Sequence, residues 1–276
     1  MATAKKPAAK TAASSTALVP AKKAANAVGS VGSIKERLMA QAAAMADRVM
    51  PPGGNTISLA GNKFKLPSGV TTQDPQRFFI VDFVSEHRFF DRPFDKENPV
   101  PPACAAVGLN PRQLVPFGES PAIQADSCGE CPNNQFGSSG KGKACSNHRT
   151  IALVPADAIE GLSKKDAIEA LQQAPLWVLR TPPTSIRAFD SYVASLQSRF
   201  QLPPVAFDTV VSLDLESDWP VLKFEVGGPN EYFEPLAERQ EEAQAMLMAP
   251  PDFSSYTAPA PVRQARTPAA AKKVAR

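Results

Sequence analysis

The sequence predicts a β-rich α+β fold: a small Greek-key barrel carrying an inserted metal-binding loop, with flanking helices and disordered basic tails. Three observations lead there. Three of the four cysteines crowd into residues 128–145, strand-like and helix-like periodicities alternate through the middle of the chain, and both ends are rich in Lys, Ala and Pro.

The cysteine cluster comes first because it constrains the rest. The stretch Cys128-Gly-Glu-Cys131-Pro followed by Cys145 and His148 has the spacing of a zinc knuckle. Two thiolates separated by two residues can hold one edge of a tetrahedral ion within a single turn, and Cys145 returns a third from a Gly/Ser-rich loop. Two residues compete for the fourth position. His148 would complete a local Cys-x2-Cys-x13-Cys-x2-His site, and Cys104, in Pro101-Pro102-Ala103-Cys104, would complete an all-cysteine site across a longer loop. The Ala/Lys-rich N-terminus has no apolar core segment of a secretory signal, so the expected compartment is cytoplasmic and the expected thiols reduced. A structural zinc is therefore favoured over disulfides, and no His-x-Glu partner of a zinc deaminase accompanies it.

The elements follow in order. Ser33-Ile-Lys-Glu36 is a capping box opening a helix to about Met50, ended by Pro51-Pro52-Gly53-Gly54. Segments 56–60 and 63–66, joined by Gly61-Asn62, read as a hairpin, and 77–84 as a strand by its β-branched and aromatic content. Residues 100–148 read as the cysteine-bearing loop. Strand 149–154, a short helix 163–172 and strand 176–180 come next. Thr184 or Ser185 then caps a helix whose Ile186, Phe189, Val193, Leu196 and Phe200 recur at helical spacing. Strands 205–215 and 221–226 and a helix over 235–248 complete the domain, 34–248. With the leading hairpin and the short helix set aside, strand, strand, strand, helix, strand, strand is the order of an OB-fold, and the zinc loop at 100–150 joins its first two strands.

Charge is segregated. Residues 1–33 contain five lysines and residues 253–276 five basic residues, neither with an acid, so the middle holds 20 basic against 27 acidic residues. Both ends, 1–33 and 249–276, read as disordered basic arms suited to a polyphosphate. No run reaches the ~18 apolar residues of a membrane span. Two histidines and no phosphate loop, nucleophile elbow or paired-carboxylate motif argue against an enzyme.

Single strands are gripped by cations interleaved with aromatic faces. Phe136, Lys141, Lys143 and Arg149 beside the cysteines form one candidate cluster; Arg77, Arg88 and Arg92 with Phe79, Phe89 and Phe90 form a second. Trp177 and Trp219 read as core, and His87 as a residue without functional signal.

The pieces Phe64-Lys-Leu-Pro-Ser-Gly69, Pro101-Pro-Ala-Cys104, Cys128-Gly-Glu-Cys131-Pro-Asn-Asn-Gln-Phe-Gly137, Gly140-Lys-Gly-Lys-Ala-Cys145, Thr184-Ser-Ile186 and 204–211 resemble a family of tailed-bacteriophage single-stranded DNA-binding proteins. The resemblance spans about 60–225. It implies a zinc-containing, OB-like domain held by Cys104, Cys128, Cys131 and Cys145. It further implies coating of single-stranded DNA in phage DNA replication or recombination, with proteins of those pathways as partners, in the bacterial host cytoplasm. The chain departs from replication proteins of this kind by ending in a basic rather than an acidic tail. Two other classes fit the composition: a histone-like architectural protein on duplex DNA, and a zinc-ribbon adaptor between proteins.

Overall fold

The computed structural model describes residues 54–258 apart from 94 and 96, together with five helical positions, Ile34, Arg37, Leu38, Gln41 and Met45, in the expected first helix. The rest of that helix, the arm 1–33 and residues 259–276 lie outside the described residues.

β1 (Thr56–Leu59) and β2 (Phe64–Lys65) form the expected hairpin, with Gly61 at φ +57° and Asn62 at φ +53°. A two-residue turn with both φ positive matches the twist of the flanking strands, and Gly and Asn adopt that region at least cost. β3 (Thr71–Thr72) pairs with β2. The spine of the sheet is β4, Gln76–Phe89, which continues past the expected end at 84. It pairs antiparallel along its length with β6 (Cys145–Pro155), at its start with β8 (Phe207–Leu213) and at its end with β5 (Cys104–Gly108). β7 (Trp177–Arg180) pairs with β6 and carries β1 in parallel on its other side, and β9 (Leu222–Pro229) closes a hairpin on β8. The result is a mixed α+β protein whose sheet, ordered β3-β2-β1-β7-β6-β4-β8-β9, curls strongly into a half-barrel.

Helices cover both faces. α1 (Lys164–Gln173) starts where the Ser163 hydroxyl accepts from the Asp166 N–H. α2 (Ile186–Phe200) ends at Gln201 in the left-handed region and buries Phe189, Tyr192 and Leu196 against Phe78, Ile80, Ile151 and Leu153. On the opposite face Phe79, Val81, Ala152 and Val154 pack with Leu171 of α1 and with α3 (Phe233–Ala237) and α4 (Gln240–Met248). A register irregularity between Ile80 and Asp82 switches which residues of β4 face α2: Phe78 and Ile80 before it, Phe83 after it, with the Phe83 ring 5.0 Å from that of Phe189. Every residue from 83 to 89 is thereby turned relative to the simple alternation.

Several expectations change. The stretch 100–148 is not all loop, since it contains β5 and the start of β6. The single helix expected over 235–248 is two, broken at Glu238–Arg239. Ser185 stands at the N-cap of α2 but its hydroxyl accepts from the Leu222 N–H at 2.8 Å, fastening β9 instead of the helix end. Residues 249–258 form no helix or strand, yet Tyr256 donates to Asp91 at 2.5 Å and Arg92 to the Thr257 carbonyl. Among the described residues no helix is long and apolar enough to cross a membrane.

Candidate metal centre and nucleic-acid interface

Register brings two cysteines together. Cys104 on β5 and Cys145 on β6 both lie opposite Phe89 of β4, so the three strands present Cys, Phe and Cys side by side on one face. The loop between β5 and β6 supplies the other two. The Cys128 N–H donates to Leu114 O at 2.9 Å, and Cys131 opens a short 3-10 turn, Pro132–Asn134. Buried Asn134 clamps this turn by donating to Cys128 O at 2.7 Å, and Gln135 donates to Gly129 O at 3.0 Å. All four cysteines are free and buried, and all four line one cavity of about 10 Å³, roughly the space of a single water-sized sphere.

Burial and mutual repulsion disfavour the thiolate at three of the four, Cys104, Cys128 and Cys145. Burial first, then the neighbouring cysteines, push the Cys128 thiol up to about 11 and the Cys145 thiol up to about 12, and burial raises Cys104. The residue types nevertheless suit zinc: four cysteines line one small space, and no carboxylate lines it with them. The side chains are not already drawn into a closed cage, for among the described residues no group of three or more His, Cys, Asp or Glu stands ready to hold a metal.

His148 lies elsewhere. It pairs with Glu86 across the sheet, its Nδ1 is 2.8 Å from the Thr181 carbonyl, and its ring lines a different groove. His87 was passed over in the sequence, yet it is buried, lines the cysteine cavity, and has an Nδ1 without a hydrogen-bond partner. Burial, followed by Lys143 and Arg149, lowers its pKa to about 4, so the ring is neutral. Only its place after the irregularity in β4 brings it to this cavity, and nothing in a lone histidine signals that.

Beside the cysteines lies a groove of about 720 Å³ between the loop and α2, lined by Phe136, Lys143, Ile186, Arg187 and Asp190 among others. Phe136 is 83% exposed, and the Lys143 ammonium sits 5.2 Å from its ring centroid while donating to Asn134 Oδ1 at 3.2 Å. Lys141 and Arg187 are exposed and make no ion pair among the described residues. Arg149 is committed differently: it forks onto Asp190 at 2.8 and 2.9 Å and donates to Ser85 at 2.8 Å, so it braces α2 against the sheet.

The second expected cluster is dispersed. Arg88 is bound to buried Glu86, which also accepts from Arg180 at 2.6 Å and Thr150 at 2.6 Å. Burial raises the Glu86 carboxyl, but Arg180 and Arg88, with the hydrogen bonds, outweigh it and hold the group at about 2. Arg77 bonds Asp208, and Phe79 is core. Phe89 lines the cysteine cavity, and Arg92 lies over Tyr256. Phe90 alone of that set is an exposed aromatic.

No family model, curated protein or solved structure matches the chain.

Proposed function

We propose that the protein is a non-enzymatic single-stranded DNA-binding protein of the phage replication and recombination type, with a zinc-stabilised OB-like domain. The observation that carries this reading is Phe136, an almost fully exposed ring capped by Lys143 at the rim of a groove whose one carboxylate, Asp190, is already neutralised by Arg149. Exposed aromatic faces beside free cations are what unpaired bases and their phosphates require. The OB-like reading is supported by β4, β6, β7, β8 and β9, with α2 between β7 and β8: they pair in the order β7-β6-β4-β8-β9, open between β7 and β9. Cys104, Cys128, Cys131 and Cys145 would hold the zinc, which would supply four bonds fastening the loop that carries Phe136 and Lys143. Asn134 positions two parts of this site, since it clamps the cysteine turn and receives Lys143.

The combined Phe136→Ala, Lys141→Ala, Lys143→Ala variant tests the reading. It is expected to lose single-strand affinity by tenfold or more with smaller loss on duplex DNA and unchanged metal content. Equal losses on both forms would favour the architectural reading, and a parent protein that ignores nucleic acid would favour the adaptor.

A further inference from the structure

We infer that Trp219 is a second base-stacking platform, so that one nucleic-acid strand runs from Phe136 to Trp219 across the head of α2; this rests on the single-strand reading above. A groove of about 490 Å³ is lined by Trp219, Pro220, Thr184, Arg180 and His148 together with β1. Pro183 lines both this groove and the one bearing Phe136, so both reach the turn that leads into α2. Each has one exposed aromatic ring, Phe136 in the first and Trp219, 58% exposed, in the second.

Trp219 is not exposed because its loop is slack. Asn62 Nδ2 donates to Ser217 O at 2.6 Å, Thr184 Oγ1 donates to Pro220 O at 3.3 Å, and the Leu222 N–H donates to Ser185 Oγ at 2.8 Å. The backbone is thus tied on both sides of the tryptophan, to the β1–β2 turn and to the start of α2. A large apolar ring held in water by a pinned backbone is preorganised for a partner, which need not be paid for in loop ordering. Charge selects the class of partner. The linings of both grooves contain no carboxylate except Asp190, which Arg149 engages, while Lys143 and Arg187 flank the first and Arg180, held by Glu86, lines the second. Two exposed ring faces, the first flanked by Lys143 and unpaired Arg187, suit the bases and phosphates of a single strand. Exposed Asp218 beside Trp219 makes no ion pair among the described residues, so the phosphates are expected on the Phe136 side and a base on Trp219.

The test uses the full chain with Trp177→Phe, leaving Trp219 as the sole indole reporter, titrated with oligo(dT) while anisotropy follows binding. Trp219 emission is expected to change in step with anisotropy. Trp219→Ala is expected to weaken oligo(dT) binding about tenfold, within the range of one stacked base, and Trp219→Phe to retain most of the affinity. Unchanged emission during saturable binding, with Trp219→Ala within twofold of the parent, overturns the track alone. A folded parent that binds no oligo(dT) overturns the single-strand reading and the track with it.

Discussion

Replacing Glu86 by Gln removes the one carboxylate that two guanidiniums and the Thr150 hydroxyl share inside the sheet. Glu86 is 3% exposed and its carboxyl is held at about 2, against an ordinary value of 4.5. At ~1.36 kcal/mol per pKa unit, that depression corresponds to about 3 kcal/mol of folding stability at neutral pH. An independent route agrees: breaking a buried pair from one side costs roughly 3–5 kcal/mol. Here the low end applies, because the side chains of Arg88 and Arg180, 22% and 32% exposed, can turn to water. Because the folded-state pKa is lowered, the contribution is fully present above the unfolded value of 4.5 and fades as pH falls toward 2. Urea unfolding of parent and Glu86→Gln at pH 7 and pH 3 separates this group from the others, whose titrations are common to both chains. The expected gap is about 3 kcal/mol at pH 7, equivalent to roughly 6–12 °C in Tm, narrowing by about 2 kcal/mol at pH 3. A gap below about 1 kcal/mol, or one independent of pH, would refute the assignment of Glu86 as a buried, depressed carboxylate.

Metal analysis of the purified protein is expected to give one zinc per chain, lost in Cys104→Ser, Cys128→Ser and Cys131→Ser but kept in His148→Ala, whose ring faces another groove. Since structural zinc contributes on the order of 10–16 kcal/mol of apparent binding energy in small peptides, the cysteine variants should also become protease-sensitive between β5 and β6. Arg149→Ala is expected to lower thermal stability, because its guanidinium ties Ser85 to Asp190, whereas Lys141→Ala should lower single-strand affinity with stability unchanged. Deleting 1–33 and 259–276 removes ten cations and is expected to flatten the dependence of log affinity on log salt by at most about seven units, at ~0.7 per neutralised phosphate. An unchanged slope would mean that the arms do not touch the nucleic acid.

Elements governed by local rules were legible in the sequence. Gly61-Asn62 dictates its turn through positive φ, and Ile186, Phe189, Val193, Leu196 and Phe200 dictate α2 through spacing. β5 was not legible, because Cys104-Ala-Ala-Val-Gly108 consists of small residues without alternation and is held as a strand by β4. The end of β4 was missed for a related reason. Ser85, Glu86, His87 and Arg88 lack the apolar pattern of a strand, yet the first three are buried, and Arg180, Thr150 and Arg149 arrive from distant strands to satisfy Ser85 and Glu86. At the candidate site the cysteine spacing was readable and the four thiols do share a cavity. Which cations are free was not readable: Arg149 and Lys143 look alike in sequence, and only the fold brings Asp190 to one of them. Trp219, read as core in the sequence, is exposed, in a loop tied on both flanks by Asn62 and Thr184.

The central claim, preference for unpaired bases, is tested most directly by the affinity of the zinc-loaded full chain for single- and double-stranded oligonucleotides of matched length and sequence across a salt series. Phosphate contacts alone weaken together with salt on both forms, whereas stacking needs exposed base faces that a duplex withholds. The expected result is at least tenfold tighter binding of the single strand, a difference of only ~1.4 kcal/mol, persisting as salt rises. Equal affinities, or a preference for duplex that grows as salt falls, would contradict the account.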